Sequence, residues 1–159
     1  MRTIEKTVYQ FSELSDSAKE KARDWAKSLG DLYGWSADSR DSIEAFCDHF
    51  GVKLKDWRVG PWLPIEYSTD AENHHFRGVK LSSIDRDYMP TGYCLDCDLW
   101  FTFHDEFKRT GNAKYAFEQA LCVGFRSWRE DWESAYEDAQ IDDFLVANEY
   151  EFDEMGGIV

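Results

Sequence analysis

Lysine and arginine stop at Arg129, and the last thirty residues of this 159-residue chain contain neither. No apolar run approaches the ~20 residues that a helix needs to cross a bilayer. The opening, MRTIEKTVYQF, lacks the roughly 7–15-residue apolar centre of a secretory signal. These absences argue against a membrane span and against export, and so point to the cytoplasm. There the four cysteines (Cys47, Cys94, Cys97 and Cys122) are expected to stay reduced. Internal repeats and low-complexity tracts are missing. So are the GxSxG, Walker and GxGxxG patterns, so no catalytic residues and no cofactor are expected.

What is abundant is acid. The chain has 32 acids against 18 bases, a net charge of −14. Residues 1–129 carry only −3, while residues 130–159 carry −11. Such a charge repels nucleic acid and anionic membranes, and it favours basic proteins, including those whose own ligand is nucleic acid. Solubility alone would explain an acidic surface equally well. The closing segment also holds Trp132, Tyr136, Phe144, Tyr150 and Phe152. Disordered acidic tails are poor in aromatics, so this segment reads as folded. If residues 130–154 were one helix they would span ~37 Å, placing one acid per ~3.4 Å, comparable to one strand of duplex DNA.

The length fits a single domain, 1–159, with a core rich in rings, since 16% of the residues are aromatic. Residues 3–11 alternate loosely as an extended lead-in. Ser15 stands as an N-cap before Ala18, Ala22, Trp25 and Leu29, and Gly30 follows as a terminator. A second helix over residues 36–50 has the stripe Ile43, Phe46, Cys47 and Phe50, and Gly51 ends it. Cys47 on that stripe reads as a small core residue.

The middle of the chain suggests strands. Residues 57–67 form an interrupted one, confined to an edge by Pro61 and Pro64. A second is expected over residues 75–81. The strongest alternation covers residues 93–104: Tyr93, Leu95, Cys97, Leu99, Phe101 and Phe103 on one face, and Cys94, Asp96, Asp98, Trp100, Thr102 and His104 on the other. A long helix then follows Asn112, with Phe117, Leu121, Phe125, Trp128 and Trp132 as its stripe. Residues 139–148 form a second helical piece starting from Asp138, and residues 148–153 a short final strand. The expected fold is α+β: two N-terminal helices, a three- to four-stranded antiparallel sheet, and a long C-terminal helix packed on the sheet.

Two groups of residues stand out as a partner-binding surface. Glu130, Glu133, Glu137 and Asp138 lie toward a helix C-terminus, where acids oppose the macrodipole at about 0.3–1 kcal/mol each. A local rule broken without visible compensation marks a place where function can cost stability. Trp57, Trp62 and Trp100 fall at edge or outer strand positions, and tryptophan is a preferred interface anchor. Their bland reading is packing under a loop. A metal site is not expected. Cys94 and Cys97 would face opposite sides of a strand, no second CxxC exists, and His49, His74, His75 and His104 lack ligand spacing. The Asp96/Asp98 pair, with a histidine nearby, is the remaining place for an enzyme or metalloprotein.

Residues 11–25, FSELSDSAKEKARDW, and residues 147–154, ANEYEFDE, resemble a widespread set of small phage and prophage proteins. Members of that set are known as hypothetical proteins or, loosely, as antitoxins of a toxin–antitoxin stability system. The resemblance brackets the chain and departs in the middle, at WRVGPW (residues 57–62). It implies a phage origin and residence in the host cell cytoplasm. Small acidic phage proteins often neutralise host defence, as anti-CRISPR or anti-restriction inhibitors that occupy a DNA-binding surface, in some cases as DNA mimics. Three functions follow as expectations. The first is an acidic anti-defence inhibitor of a basic host protein or nucleoprotein complex, binding no nucleic acid itself. The second is an antitoxin-like or adaptor module using exposed tryptophans. The third is a small metalloprotein or enzyme built on His, Cys and Asp near the third strand.

Overall fold

The computed structural model describes residues 6–159. Thr3, Ile4 and Glu5 of the expected lead-in lie outside the described residues. In chain order the elements are β1 (Tyr9–Gln10), α1 (Asp16–Ser28), α2 (Trp35–His49), β2 (Leu54–Arg58), β3 (Glu66–Thr69), α3 (Leu95–Thr110), α4 (Ala113–Ser134), α5 (Asp138–Ala147) and β4 (Glu151–Phe152). Short 3₁₀ turns cover Phe11–Glu13, Asn73–Phe76 and Leu81–Ser83. The chain forms two compact units. One is Gly34–Glu133, and the other joins the two chain ends, up to Tyr33 and from Ser134 onward.

In the unit of the chain ends, Ser15 caps α1 by accepting the amide of Ala18 (3.3 Å). Beyond the helix, Gly30 takes φ 85°. Ala18, Ala22 and Ala26, four residues apart, are buried along one stripe. Small side chains there let α5 approach closely, with Ile141 and Leu145 filling the space. Trp25, expected on the stripe, lies beside it and meets Tyr150 edge-on at 5.0 Å, while Leu29 is exposed. The ends of the chain close the unit: β1 and β4 pair antiparallel, Tyr9 opposite Phe152 and Gln10 opposite Glu151. Phe152 is fully buried. Just beyond it, Asp153 Oδ1 accepts the amides of Met155 and Gly157, both at 2.9 Å.

In the unit Gly34–Glu133, α2, α3 and α4 enclose an aromatic core. Phe46 stacks on Phe117 (5.3 Å, 9°) and meets Trp100 edge-on (5.1 Å), while Phe50 packs on Phe103 (4.6 Å). Contacts of this kind add about 0.5–1.5 kcal/mol each to the burial of the rings. At Gly124, α4 leaves room for Leu99 of α3, because a Cβ there would stand 2.5 Å from Leu99 Cδ2. Strands β2 and β3 form a hairpin, with Trp57 opposite Tyr67 and Arg58 opposite Glu66.

The expected three- to four-stranded sheet is not formed. The described residues hold five α-helices and two separate two-stranded sheets, so the fold is a helix-rich α+β. Residues 93–104 are the main cause. Their alternation is genuine, but Leu95, Leu99 and Phe103 also recur at intervals of four, and all three are buried on α3. The helix has the better ends: Asp96 and Asp98 in its first turn, Lys108 and Arg109 in its last, and Gly111 beyond at φ 68°. The second expected strand, over residues 75–81, is a pair of 3₁₀ turns with Val79 between them. The interrupted strand of residues 57–67 is two strands joined by the loop that holds both prolines.

Gly156 sits at φ 82°, and any Cβ there would overlap the backbone carbonyl oxygen of Ala18. Gly78 has a similar φ of 79° with open space around it. Gly156→Ala is therefore expected to lose about 2 kcal/mol or more, and Gly78→Ala about 1 kcal/mol, in urea unfolding. Equal losses in the two variants would contradict the close approach.

Candidate partner-binding surface

The hairpin of the Gly34–Glu133 unit carries three exposed aromatic residues, Trp57, Trp62 and Tyr67. Its base is fixed by stacking. Tyr67 lies flat on Phe125 of α4 (4.4 Å, 11°), and Phe125 in turn stacks on Trp128 (5.9 Å, 20°). Burial raises the pKa of the Tyr67 hydroxyl, with the nearby Cys122 and Glu118 acting in the same direction. Trp57 faces Tyr67 across the strands and shares its side of the hairpin. Both rings stay about one-third exposed.

The hairpin loop is tightened by a β-turn in which the Leu63 amide donates to the Gly60 carbonyl (3.2 Å). Pro61 takes the second position of that turn, where its fixed φ is favoured. Trp62 takes the third, with φ 57°. Glycine or asparagine is the usual occupant of a turn position with positive φ, and a bulky residue there costs on the order of 1–3 kcal/mol. The Trp62 amide donates to Glu133 Oε1 of α4 (2.9 Å), and Glu133 is itself paired with Arg129 (3.5 Å). The loop is thus tied down while the indole is 70% exposed, with Leu63 beside it at 45%.

Trp100, expected at an outer position, is 1% exposed. The strand reading put it on the outer face, but on α3 it points into the aromatic core against Phe46 and Tyr88. The structure therefore brings Trp57, Trp62 and Glu133 to one hairpin and removes Trp100 from it.

The acidic residues also separate. Helix α4 ends at Ser134 and α5 begins at Asp138, so residues 130–154 are not one continuous rod. Glu130 and Glu133 belong to the Gly34–Glu133 unit, whereas Glu137 and Asp138 belong to the unit of the chain ends. There Asp138 pairs with Lys27 (3.2 Å) and Arg23 (3.7 Å). Asp142 takes Arg23 in two hydrogen bonds (2.7 and 2.8 Å), which hold the guanidinium pKa above its ordinary value. Asp138 also opens α5, where an acid favours the helix dipole. Among the described residues, Glu130 and Glu137 form no ion pair. Counted by unit, the chain ends hold 14 acids and 6 bases, and Gly34–Glu133 holds 18 acids and 12 bases. The charge that runs together in the sequence is thus spread over both units.

No three His, Cys, Asp or Glu side chains among the described residues converge as metal ligands. Asp96 is fully buried, and its Oδ2 accepts the amides of Thr91 (2.9 Å) and Gly92 (3.0 Å) and the Thr91 hydroxyl (2.9 Å). That is a structural use of the carboxylate, and Asp98, two residues on, does not share it. His49 lies among Phe50, Tyr88 and Trp100, and burial lowers its pKa. The cleft at the hairpin, about 190 Å³, is smaller than ordinary small-molecule sites. A wider groove beside α5, lined by Leu32, Tyr33, Asp143 and Phe144 among others, has Asp143 as its one charged side chain. No helix is long and apolar enough to cross a membrane among the described residues.

Sequence reading did not find the turn that holds Trp62. Its signal was Gly-Pro-Trp-Leu, a turn with proline in its second place. Comparison with family models, with curated proteins and with solved structures gives no match for this chain.

Asp131 provides an electrostatic test of this end of α4. Burial raises its pKa, and the neighbouring Asp98 adds to the rise. A carboxyl whose folded pKa is raised keeps its full contribution to stability below the unfolded value of about 3.9, and loses it as pH rises through the folded pKa. Asp131→Asn is therefore expected to stabilise the protein at pH 7, with the gain vanishing near pH 3. A denaturation series across that range measures it, and a gain that is independent of pH would refute the electrostatic cause.

Proposed function

We propose that this chain is a binding protein for a basic protein partner, held through the β2–β3 hairpin with Trp62 as its anchor. The observation that carries this reading is the position of Trp62: a tryptophan 70% exposed in a turn position that favours glycine. Backbone strain of this kind persists only where its surroundings enforce it, and it concentrates at functional sites. Here the Glu133 carboxylate enforces it through the Trp62 amide. Stacking on Phe125 keeps the hairpin base rigid, which lowers the entropy lost on binding. The net charge of −14 supplies attraction toward a basic surface and raises the rate of encounter.

The two contributions separate kinetically. Trp62→Ala is expected to speed dissociation tenfold or more, with a change in unfolding free energy within about 0.5 kcal/mol. Glu130→Lys with Glu137→Lys is expected to slow association and flatten its salt dependence, leaving dissociation nearly unchanged. Surface plasmon resonance on a partner captured from lysate reads both rates. If Trp62→Ala dissociates like the parent chain, the hairpin is not the anchor.

The finer form of the proposal takes up the resemblance to phage proteins. The partner's basic surface is one that otherwise holds nucleic acid, as in a host defence complex, and the chain inhibits by occupying it at one-to-one stoichiometry. In support stands the acidity, which opposes direct binding of nucleic acid and favours a basic protein surface. A fluorescent duplex bound to the captured partner should be released by equimolar chain. Simultaneous binding of both would eliminate the competitive mechanism and leave the adaptor reading.

A further inference from the structure

Cys94 and Cys97 have no role in the binding surface, and the helix changes their relation. On a strand they would have faced apart, whereas in the structure Cys94 is the N-cap of α3 and Cys97 lies in its first turn. The Cys97 amide donates to the Cys94 carbonyl (3.0 Å), closing one helical turn between them. Helix geometry with a 2.3 Å radius and 1.5 Å rise sets Cα atoms three residues apart at about 5 Å. Disulfides span Cα separations of about 4.4–6.8 Å, and to close the bond the Cβ atoms, about 5–6 Å apart on a regular turn, must draw in to about 3.5–4.5 Å at the helix start. Cys94 is exposed and Cys97 is half-buried, so an external reagent reaches the first and the second can follow. Cys47 is buried in the core, where burial pushes its thiol up to about 12.

We propose that Cys94 and Cys97 are a reversible dithiol–disulfide pair, closed by a low-molecular-weight disulfide such as oxidised glutathione. The Cys94 thiolate attacks one sulfur of the glutathione disulfide, forming a mixed disulfide and releasing one glutathione thiolate, which takes up a proton. The Cys97 thiolate then attacks the Cys94 sulfur, forming the intramolecular bond and expelling the second glutathione. Two electrons and two protons pass from the protein to glutathione, and nothing else is consumed.

The surroundings set the character of the pair. Burial raises the pKa of the Cys94 thiol, and Asp131 and Asp98 raise it further. A scarce thiolate attacks slowly, and a thiol of raised pKa is a poor leaving group when the bond is reduced. The pair therefore closes slowly and, once closed, resists reopening. It is a switch that latches rather than a fast oxidoreductase centre. Closure staples the first turn of α3 directly beside Asp96, whose carboxylate holds the preceding loop.

The test uses the full reduced chain in graded mixtures of reduced and oxidised glutathione at pH 8, followed by acid quenching, alkylation and mass spectrometry. The expected product is about 2 Da lighter than the reduced chain. The bond should map to the peptide holding Cys94 and Cys97, with Cys47 and Cys122 still alkylated after unfolding. Cys97→Ser should instead stop at a stable glutathione adduct on Cys94. Asp131→Asn should speed the first step about threefold by enlarging the thiolate fraction. A parent chain that keeps glutathione on Cys94, links through Cys122 to a second copy, or stays reduced overturns the proposal. An unchanged rate in Asp131→Asn overturns the assignment of Cys94 as the attacking thiol.

Discussion

The carboxylate of Asp96 is the constraint on which the unit Gly34–Glu133 depends. It is fully buried and accepts three hydrogen bonds through one oxygen, two from backbone amides and one from a hydroxyl. A carboxyl group buried there without those donors would be costly, so the loop over Thr91 and Gly92 and the first turn of α3 must form together. Once α3 starts at that point, its phase is set. Leu95, Leu99, Trp100 and Phe103 turn inward, and Leu99 meets the bare backbone at Gly124 of α4. Tyr67 of β3 stacks on Phe125 of α4, and Phe125 on Trp128, so the hairpin rests on a helix positioned by the same packing.

Much of the helical architecture was legible because local signals and burial agreed. Ser15 as a cap, Ile43, Phe46, Cys47 and Phe50 as a stripe, Asn112 accepting the amide of Tyr115, and the break before Asp138 are all present. The final strand, Glu151–Phe152, was legible too, and it pairs with part of the expected lead-in. Residues 93–104 failed for a physical reason. Their apolar residues satisfy period two and a spacing of four at once, and side-chain pattern alone cannot choose between them. The end signals could: two acids at one end, Lys108-Arg109-Thr110-Gly111 at the other. Trp100 was misplaced by that one choice of period.

The acidic and aromatic features change meaning once they are placed in space. Three acids near the chain's end have local work: Asp138 pairs with Lys27 and Arg23, Asp142 holds Arg23, and Glu133 holds the Trp62 amide. The dipole penalty expected at Glu133 is offset by those bonds, and Asp138 turns out to sit at a helix start, where its sign is favourable. A surface read as charge alone is therefore partly scaffold. Trp62, whose amide Glu133 holds, is nevertheless 70% exposed.

The pairing of β1 with β4 has a consequence for how the chain is made. Tyr9 finds its partner at Phe152, so one unit depends on residues from opposite ends of the sequence, while the other is a continuous stretch ending at Glu133. During synthesis from the N-terminus, α1 emerges with its alanine stripe uncovered and must wait for α5 and β4, which follow the whole of the other unit in the sequence. Loop closure over so long a separation is slow. The continuous unit can therefore be complete while the first helix is still waiting, and the nascent chain spends that interval with an apolar face open to whatever is nearby.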